Sequence, residues 1–173
     1  MANEISPLTI LTTGGTIDKI YDEHEGTLQN RETIIKNKIL QKLRLPYRDI
    51  TVRSLMSKDS LYMDDNDRNL IAAEIHRHAQ HAHPIVVLHG TDTMDKTAAH
   101  CHHLHPKPAV PVVFTGAMKP MGFDDSDATQ NVIEAIFATQ LLAPGYYVTF
   151  HGQLFQVPHF RKNREKGTFE GLP

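Results

Sequence analysis

The stretch "PLTILTTGGTID" occupies residues 7–18. Its first half is apolar and rich in β-branched residues, which is typical of a short buried strand. Gly14 and Gly15 then allow unusual backbone angles and a close approach by a ligand. A phosphate loop would add a Lys-Ser/Thr pair after the second glycine, and a dinucleotide fingerprint would space three glycines. Neither pattern is present, so the stretch predicts either a plain strand-to-loop turn or a strand end that presents a hydroxyl group.

Strand-like and helix-like segments alternate along the rest of the chain. Four more apolar, β-rich runs are found at 49–55, 84–89, 109–116 and 146–152. Helical patterns occur between them, from Asn30 as a cap to Leu43, from Asp64 or Asp65 to about residue 82, at about 95–105 and at about 127–142. This alternation predicts an α/β fold with a doubly wound, mostly parallel, Rossmann-like sheet and helices on both faces. The tail, 157–173, is interpreted as loop.

Composition limits the class of protein. The chain has 173 residues, 40% of them hydrophobic, so we expect one domain over 1–173 and no second domain. The formal charge of −2 predicts no general attraction to nucleic acid or to anionic membranes. Cys101 is the only cysteine, so neither an internal disulfide nor a Cys-based zinc site can form. Without a basic n-region or a membrane-length apolar run, a cytoplasmic protein is expected.

Polar residues follow the predicted strands. In open α/β sheets, sites lie at the carboxyl ends of the strands, where "TTGGT", "HGTDT" and "TGAMKP" are found. Thr91 and Asp92 are suited to hold an ammonium group or to orient a hydroxyl, but both residue types are also favoured helix caps. Ser57, Asp59 and Ser60 follow another strand.

The histidines are abundant, but their spacing does not predict a metal site. Many of the 12 fall in 76–83 and 100–105. The first group lacks an i, i+4 pair, and no H-E-x-x-H motif occurs. The aspartates at 124, 125 and 127 are typical of a helix cap rather than of a calcium loop, which would need a terminal Glu. We therefore expect no metal and no cofactor.

Three motifs together resemble those of the bacterial-type L-asparaginases. They are "TTGGTID" at 12–18, "HGTDTMDKTA" at 89–98 and "TGAMKP" at 115–120. "DSLYM" at 59–63 is similar, more loosely, to the serine-containing substrate segment of that family. Asp127 and Asn131 fall where the family has an Asp and an Asn after its third motif. The matches keep their order along the whole chain.

The resemblance implies hydrolysis of L-asparagine to L-aspartate and ammonia through a threonine nucleophile and an acyl-enzyme intermediate. Thr16 matches the nucleophile of the family, and Tyr21 resembles the mobile tyrosine that helps to activate it. Thr91 and Asp92 match two members of a Thr-Lys-Asp triad. The lysine is Lys162 or Lys166, and the position of Lys162 before a Gly-x-Phe segment favours it.

The resemblance also implies the contacts of the substrate. Ser60 matches the serine that holds the α-carboxylate, and Asp92 would hold the α-ammonium group. The other substrate-binding residues expected from the motifs are Gly15, Asp59, Gly90, Thr91 and Ala117. Backbone N–H groups at the strand ends would face the developing oxyanion.

The usual chain of this family is longer and carries a second, smaller C-terminal domain that contributes groups to a neighbouring subunit. Because this chain has only 173 residues, the resemblance implies a short, single-domain form of the family. Because a surface that the second domain would cover is then exposed, we expect a homo-oligomer, either a dimer or a tetramer. The expected partner is the small-molecule substrate L-asparagine, with no nucleic acid and no membrane.

Three alternatives remain for the function. Glutamine could be the substrate, or one of two, because one methylene changes specificity by only about 1–3 kcal/mol. A non-catalytic amino-acid-binding module is a second alternative, although it would not need Thr16, Thr91 and a lysine together. The amidase domain of a tRNA-dependent amidotransferase is the third, and the near-neutral charge and the lack of a tRNA-binding extension argue against it.

Overall fold

The computed structural model describes residues 5–30 and 35–172, without the side chain of Asn30. The described strands are β1 Ser6–Thr12, β2 Lys19–Asp22, β3 Thr27–Asn30, β4 Arg48–Ser54, β5 Ile85–Leu88, β6 Pro111–Thr115, β7 Gly145–Phe150, β8 Gln153–Gln156, β9 Phe160–Asn163 and β10 Thr168–Gly171. The described α-helices are α1 Ile35–Lys38, α2 Asp65–Ala79, α3 Met94–Leu104 and α4 Ala128–Ala138. Single 3-10 turns occur at Thr16–Asp18, Leu40–Lys42 and Ser60–Tyr62.

Six strands pair into one sheet in the order β4-β1-β5-β6-β7-β8. The first five are parallel, and β8 returns antiparallel to β7 through a two-residue turn. The predicted doubly wound, mostly parallel sheet is therefore confirmed. Two small antiparallel hairpins, β2–β3 and β9–β10, lie outside it.

Helices cover both faces of the sheet. On one face, Leu11 and Val87 pack with Ile71 of α2 and Ala98 of α3. On the other face, Ile10 and Val86 pack with α1 and α4, represented by Ile35, Val132 and Ile136. Successive residues of a strand point to opposite faces, so β5 and β6 are buried along their whole length. This two-sided burial explains why both strands are continuous apolar runs.

The second predicted helix begins where its acidic cap was expected. The Asp64 carboxylate accepts a hydrogen bond from Asp67 N–H at 3.0 Å, and the Asp67 carboxylate accepts one from Asp64 N–H at 2.9 Å. This reciprocal pair is a capping box, which satisfies two backbone donors that the helix itself leaves unpaired. It fixes the start of α2 at Asp65.

The interpretation of the tail as loop is wrong. Residues 160–171 form the β9–β10 hairpin, and Phe160 and Phe169 are both buried in the core beside Phe150. The segment 161–166 between them, which has four basic residues, supplies polar strand positions and the turn. Two apolar anchors in such a polar segment are too few to reveal a strand period in the sequence.

Two helix predictions differ in detail from the structure. The pattern from Asn30 to Leu43 yields only the short α1 and a 3-10 turn, and the predicted cap by the Asn30 side chain lies outside the described residues. In α4, Val132 and Ile136 are buried as expected, whereas Phe137 is 59% exposed. None of the helices in the ranges 5–30 and 35–172 combines the length and apolar character that a bilayer crossing requires.

The strand order creates a cleft at β1. From β1 the chain crosses to β4 on one side, and after α2 it returns to β5 on the other side of β1. The segments that leave β1 and β5 therefore diverge at the carboxyl ends of these two strands. Open α/β sheets bind ligands at such a switch point.

Candidate active site

Two glycine turns touch at this switch point. Gly14 and Gly15 follow β1 with φ of +90° and +86°, which is a region that residues with a Cβ rarely adopt. A Cβ on Gly15 would lie 2.5 Å from Gly90 Cα, and one on Gly14 would collide with the backbone of Lys58. Only glycine therefore fits at both positions. The close approach brings the turn that carries Thr16 against the turn that carries Thr91.

Backbone hydrogen bonds hold the first turn on two sides. Thr13 donates to Leu88 O from its N–H at 3.1 Å and from its hydroxyl at 3.0 Å. Gly15 N–H donates to Lys58 O at 3.0 Å, and Lys58 N–H donates to Thr13 O at 3.1 Å. The turn is thus attached to β5 and to the segment after β4. Thr16, which is half-buried, begins the 3-10 turn that follows.

Lys162 reaches this site from the C-terminal hairpin. Its Nζ donates to Thr91 Oγ1 at 2.7 Å and to Asp92 Oδ1 at 2.9 Å. Thr91 is buried, and the side chain of Lys162 is only 16% exposed. Lys162 pairs across the hairpin with Phe169, whose ring is in the core. Burial of that ring therefore holds the amine against Thr91.

Of the two lysines considered from the sequence, only Lys162 contacts Thr91 and Asp92. Lys166 is exposed in the turn between β9 and β10, where its N–H donates to the Asn163 side-chain oxygen. A residue outside the motifs, Arg164, also reaches the site. Its Nη2 donates to Asp92 Oδ1 at 3.2 Å, so two cationic side chains share one carboxylate oxygen.

Ser60 presents a buried hydroxyl to the same cleft. The residue is 1% exposed, and its Oγ has no hydrogen-bond partner among the described residues. A Cβ on Gly90 would lie 2.6 Å from this Oγ, so the hydroxyl faces the Gly90 backbone. The Ser60 carbonyl is held separately, because it accepts from Thr93 Oγ1 at 2.8 Å. The Ser60 hydroxyl is therefore a buried polar group that lacks a hydrogen-bond partner among the described residues, which is uncommon in folded proteins.

Asp59, next to it, is occupied by an internal ion pair. Lys19 Nζ donates to Asp59 Oδ2 at 2.6 Å, and Leu61 N–H donates to Oδ1 at 3.0 Å. Burial alone would raise the pKa of Asp59, but these hydrogen bonds and the charges of Lys19 and Lys162 outweigh it and lower the pKa. Lys19 was not indicated by the sequence. It ties the segment after Thr16 to the segment before Ser60.

The third motif forms the wall beside β6. A Cβ on Gly116 would collide with His89 O, and Ala117 is buried next to it. Asp127 accepts hydrogen bonds from Met118 N–H and Lys119 N–H, both at 3.0 Å. Burial would raise the pKa of Asp127, but these bonds and one from His151 outweigh it and lower the pKa.

His151 connects this wall to the hairpin that carries Lys162, and no sequence pattern indicated it. Its Nε2 lies 2.8 Å from Asp127 Oδ2, and its Nδ1 lies 3.0 Å from Thr168 Oγ1. Because the carboxylate only accepts, Nε2 donates to Asp127, and Nδ1 shares a hydrogen bond with the Thr168 hydroxyl. The backbone of His151 has φ of +49°, and its N–H donates to Asn131 Oδ1 at 3.1 Å.

His89 is a buried, neutral part of the second turn. Burial is the main cause that lowers its pKa to about 4. Its Nδ1 lies 2.8 Å from Gly90 O, so the neutral ring donates there. This bond fixes the backbone of the glycine that meets Gly15.

Tyr21, another predicted catalytic residue, lies on the β2–β3 hairpin outside the central sheet. It is on β2, is 59% exposed, and lines a separate cavity of about 330 Å³ with Lys38 and Phe123.

As for metals, the described ranges contain no group of three or more His, Cys, Asp or Glu residues arranged to hold an ion.

Comparisons with known proteins show similarity to asparaginases and to their N-terminal domain. A family model described as "Asparaginase, N-terminal" matches residues 7–169. The chain is 30% identical over 146 residues to an L-asparaginase of Thermococcus kodakarensis, covering 83% of this chain and 43% of that protein. It is also 30% identical over 150 residues to a glutamyl-tRNA(Gln) amidotransferase component from Methanococcus vannielii, covering 85% of this chain and 34% of that protein.

The fold is similar to that of a solved relative. The structure of the thermostable L-asparaginase from Thermococcus kodakarensis superposes with a TM-score of 0.81 at 25% identity, covering 95% of this chain and 51% of that one. The chain thus spans between about a third and about half of the length of the relatives it matches.

Proposed function

We propose, because the chain belongs to the asparaginase family, that it is an amidohydrolase that converts L-asparagine and water to L-aspartate and ammonia. The observation that carries this proposal is the contact of Lys162 Nζ with Thr91 Oγ1 and Asp92 Oδ1. An amine held between a hydroxyl and a carboxylate is the arrangement that hydroxyl activation requires. It lies at the strand ends where the two glycine turns meet.

In the first proposed step, the Thr16 hydroxyl oxygen attacks the side-chain amide carbon of asparagine. Its proton passes toward Thr91 and Lys162, and backbone N–H groups of the two glycine turns stabilise the oxyanion. Collapse of the tetrahedral intermediate breaks the carbon–nitrogen bond. The nitrogen takes up a proton and leaves as ammonia, which gives an aspartyl ester of Thr16.

In the second proposed step, a water molecule attacks the ester carbon. Thr91 and Lys162 accept the proton of this water, and Thr16 Oγ takes a proton as it leaves. The products are L-aspartate and the free enzyme. Under this proposal, Thr91 and Lys162 serve both half-reactions, so their contact would have a role in proton transfer as well as in packing.

The unpaired groups of the site support a free amino acid as the substrate. The buried Ser60 hydroxyl lacks a partner among the described residues and would donate to the α-carboxylate. Asp92 uses Oδ1 for Lys162 and Arg164, so Oδ2 would face the α-ammonium group. The charge of the Asp59 carboxylate is balanced by its ion pair with Lys19. Asp59 would therefore hold the backbone next to Ser60 in place rather than bind the ammonium group itself.

Tyr21 would take part only after a movement of the β2–β3 hairpin, because its ring is exposed on β2. We propose that this hairpin closes over Thr16 when substrate binds. The proposal is supported by the position of β2, which directly follows the Thr16–Asp18 turn.

A second candidate function is the amidase part of a glutamyl-tRNA(Gln) amidotransferase. The similarity to the Methanococcus vannielii protein favours it, since the identity equals that to the L-asparaginase. The lack of a tRNA-binding extension carries no weight against this function, because the chain spans only part of these relatives. The near-neutral charge of the chain still argues against it.

Ammonia release distinguishes the candidates. The protein is assayed with asparagine, with glutamine and with no substrate, in the absence of RNA. We expect ammonia from asparagine, with a smaller rate from glutamine. Turnover of neither amino acid would overturn the proposal, and turnover of glutamine alone would replace it with either a glutaminase or the amidotransferase function.

A further inference from the structure

A cavity of about 410 Å³ lies at the amino ends of the sheet strands, far from the candidate active site. Its polar lining is Ser6, Arg44, Tyr47, Arg48 and Gln140, and none of the lining residues in the ranges 5–30 and 35–172 is acidic. Ser6 and Arg48 are register partners and the first residues of β1 and β4. A strand of seven residues places this Arg44–Arg48 pocket roughly 20 Å from the carboxyl ends.

The two arginines of the pocket have no carboxylate partners among the described residues, whereas four other arginines of the chain do. Carboxylates pair with Arg68, Arg77, Arg161 and Arg164. Arg48 Nη2 is inaccessible to solvent and has no hydrogen-bond partner within the described ranges. Burial lowers the pKa of Arg48, but an arginine remains protonated in a protein. A buried cationic donor without an acceptor is costly, so it calls for a partner.

We infer that the Arg44–Arg48 pocket is a binding site for a small oxyanion, either a phosphate or a carboxylate group. A guanidinium fork matches both groups and binds them through paired hydrogen bonds. The hydroxyls of Ser6 and Tyr47 and the amide of Gln140 add neutral donors. The cavity is large enough for an anion that belongs to a small organic molecule.

The site is independent of the proposed amide chemistry. None of its residues contributes to the contacts of Thr91, Lys162 or Ser60. The pocket and the candidate active site lie at opposite ends of the sheet strands. Binding can therefore be measured without turnover. The inference stands whether or not asparagine is the substrate.

Titration calorimetry on the whole chain tests this inference, with inorganic phosphate and with succinate as probes at constant ionic strength set by sodium chloride. The variants are Arg48→Gln and Arg44→Gln. Arg53→Gln is the matched control, because Arg53 is an exposed arginine at the other end of β4. Arg44 is also exposed, so its variant keeps the test valid even if Arg48→Gln folds poorly.

We expect saturable binding of at least one probe, with an affinity loss of ~10-fold or more in Arg44→Gln and Arg48→Gln. Arg53→Gln should bind as the unmodified chain does. A preference for phosphate or for succinate would identify which oxyanion the site takes. Absence of binding by both probes, or equal binding by all variants, would overturn the inference.

Discussion

Lys162 Nζ lies 2.7 Å from Thr91 Oγ1, although 71 residues separate them in the chain. The contact depends on the β9–β10 hairpin, whose buried Phe160 and Phe169 attach it to the core. Aromatic side chains that bury a large area fix a short hairpin more firmly than its few backbone hydrogen bonds would. The amine that the proposed reaction needs is thus positioned by the packing of its neighbours on the same face of the hairpin, Phe160 and the cross-strand partner Phe169.

Thr16→Ala should lower the rate of ammonia release from asparagine by ~100-fold or more, because no other group replaces the attacking oxygen. The fold should be unchanged, since Thr16 is only half-buried. Ammonia release and circular dichroism on the same sample check this. Thr27→Ala, at an exposed threonine of β3, is the control. A folded Thr16→Ala protein that keeps more than a small fraction of the activity would exclude Thr16 as the nucleophile.

Lys162→Met should lower kcat by ~100-fold or more, whereas Lys166→Met should change it less than ~2-fold. Methionine keeps the apolar length of lysine but removes the amine that contacts Thr91 and Asp92. The hydrogen bond of Lys166 is made by its backbone within its own turn. Steady-state rates of the two variants test the difference. Similar losses in both would show that the lysine acts only through the general charge of the hairpin.

The sequence predicted the central sheet because its strands are buried on both faces. Runs such as "IVVL" before His89 and "PVVFT" before Gly116 cannot alternate with polar residues when helices cover both sides. The small hairpins carried no such signal. In β9, Lys162 points to the site and Arg161 to Glu170. Because successive residues of this strand are polar, its sequence shows no alternation and is typical of a basic loop.

The location of the candidate site was predictable where motifs carry it. The glycine turns and the residues after them stand within short, recognisable stretches. The supporting side chains were not predictable, because each acts across a long sequence separation. Lys19 meets Asp59 over 40 residues, Arg164 meets Asp92 over 72, and His151 meets Asp127 over 24. Such pairings follow from the tertiary fold rather than from local pattern.

Thr168→Val should lower kcat several-fold, by about 2–10-fold, with little change in KM. The Thr168 hydroxyl is hydrogen-bonded to His151 Nδ1 and so holds the Lys162 hairpin to the Asp127 network. His151→Asn should have a similar effect, because asparagine tolerates the left-handed backbone but is too short to reach Thr168.

The double variant of these two residues separates this link from two unrelated defects. If His151 and Thr168 act through one hydrogen bond, the double variant should be no worse than the more severe single variant. Losses that multiply would contradict the link. Thr51→Val, at an exposed strand position, controls for the loss of a threonine hydroxyl.

Acid should destabilise the fold through His89. Its pKa is about 4 in the folded chain and about 6.5 when unfolded. Between these values the unfolded state binds the extra proton, so stability falls as the pH decreases through this window. The expected loss between about pH 7 and about pH 5 is about 2 kcal/mol.

Urea unfolding at several pH values measures this dependence. His89→Asn should flatten it, even if the variant is less stable at every pH. His103→Asn replaces an exposed histidine and should leave the dependence as it is. An equally steep loss in His89→Asn would assign the acid sensitivity to other groups.

The position of Lys162 in the last hairpin also sets an order of events during biosynthesis. The ribosome completes the segments with Thr16, Thr91 and Asp92 well before it adds residue 162. Domains begin to fold from the amino end during synthesis, so the parallel strands can assemble on a nascent chain that still lacks the amine. Under the proposed reaction, such a chain would hold its nucleophile in an inert state, and hydrolysis would begin only after the β9–β10 hairpin docks.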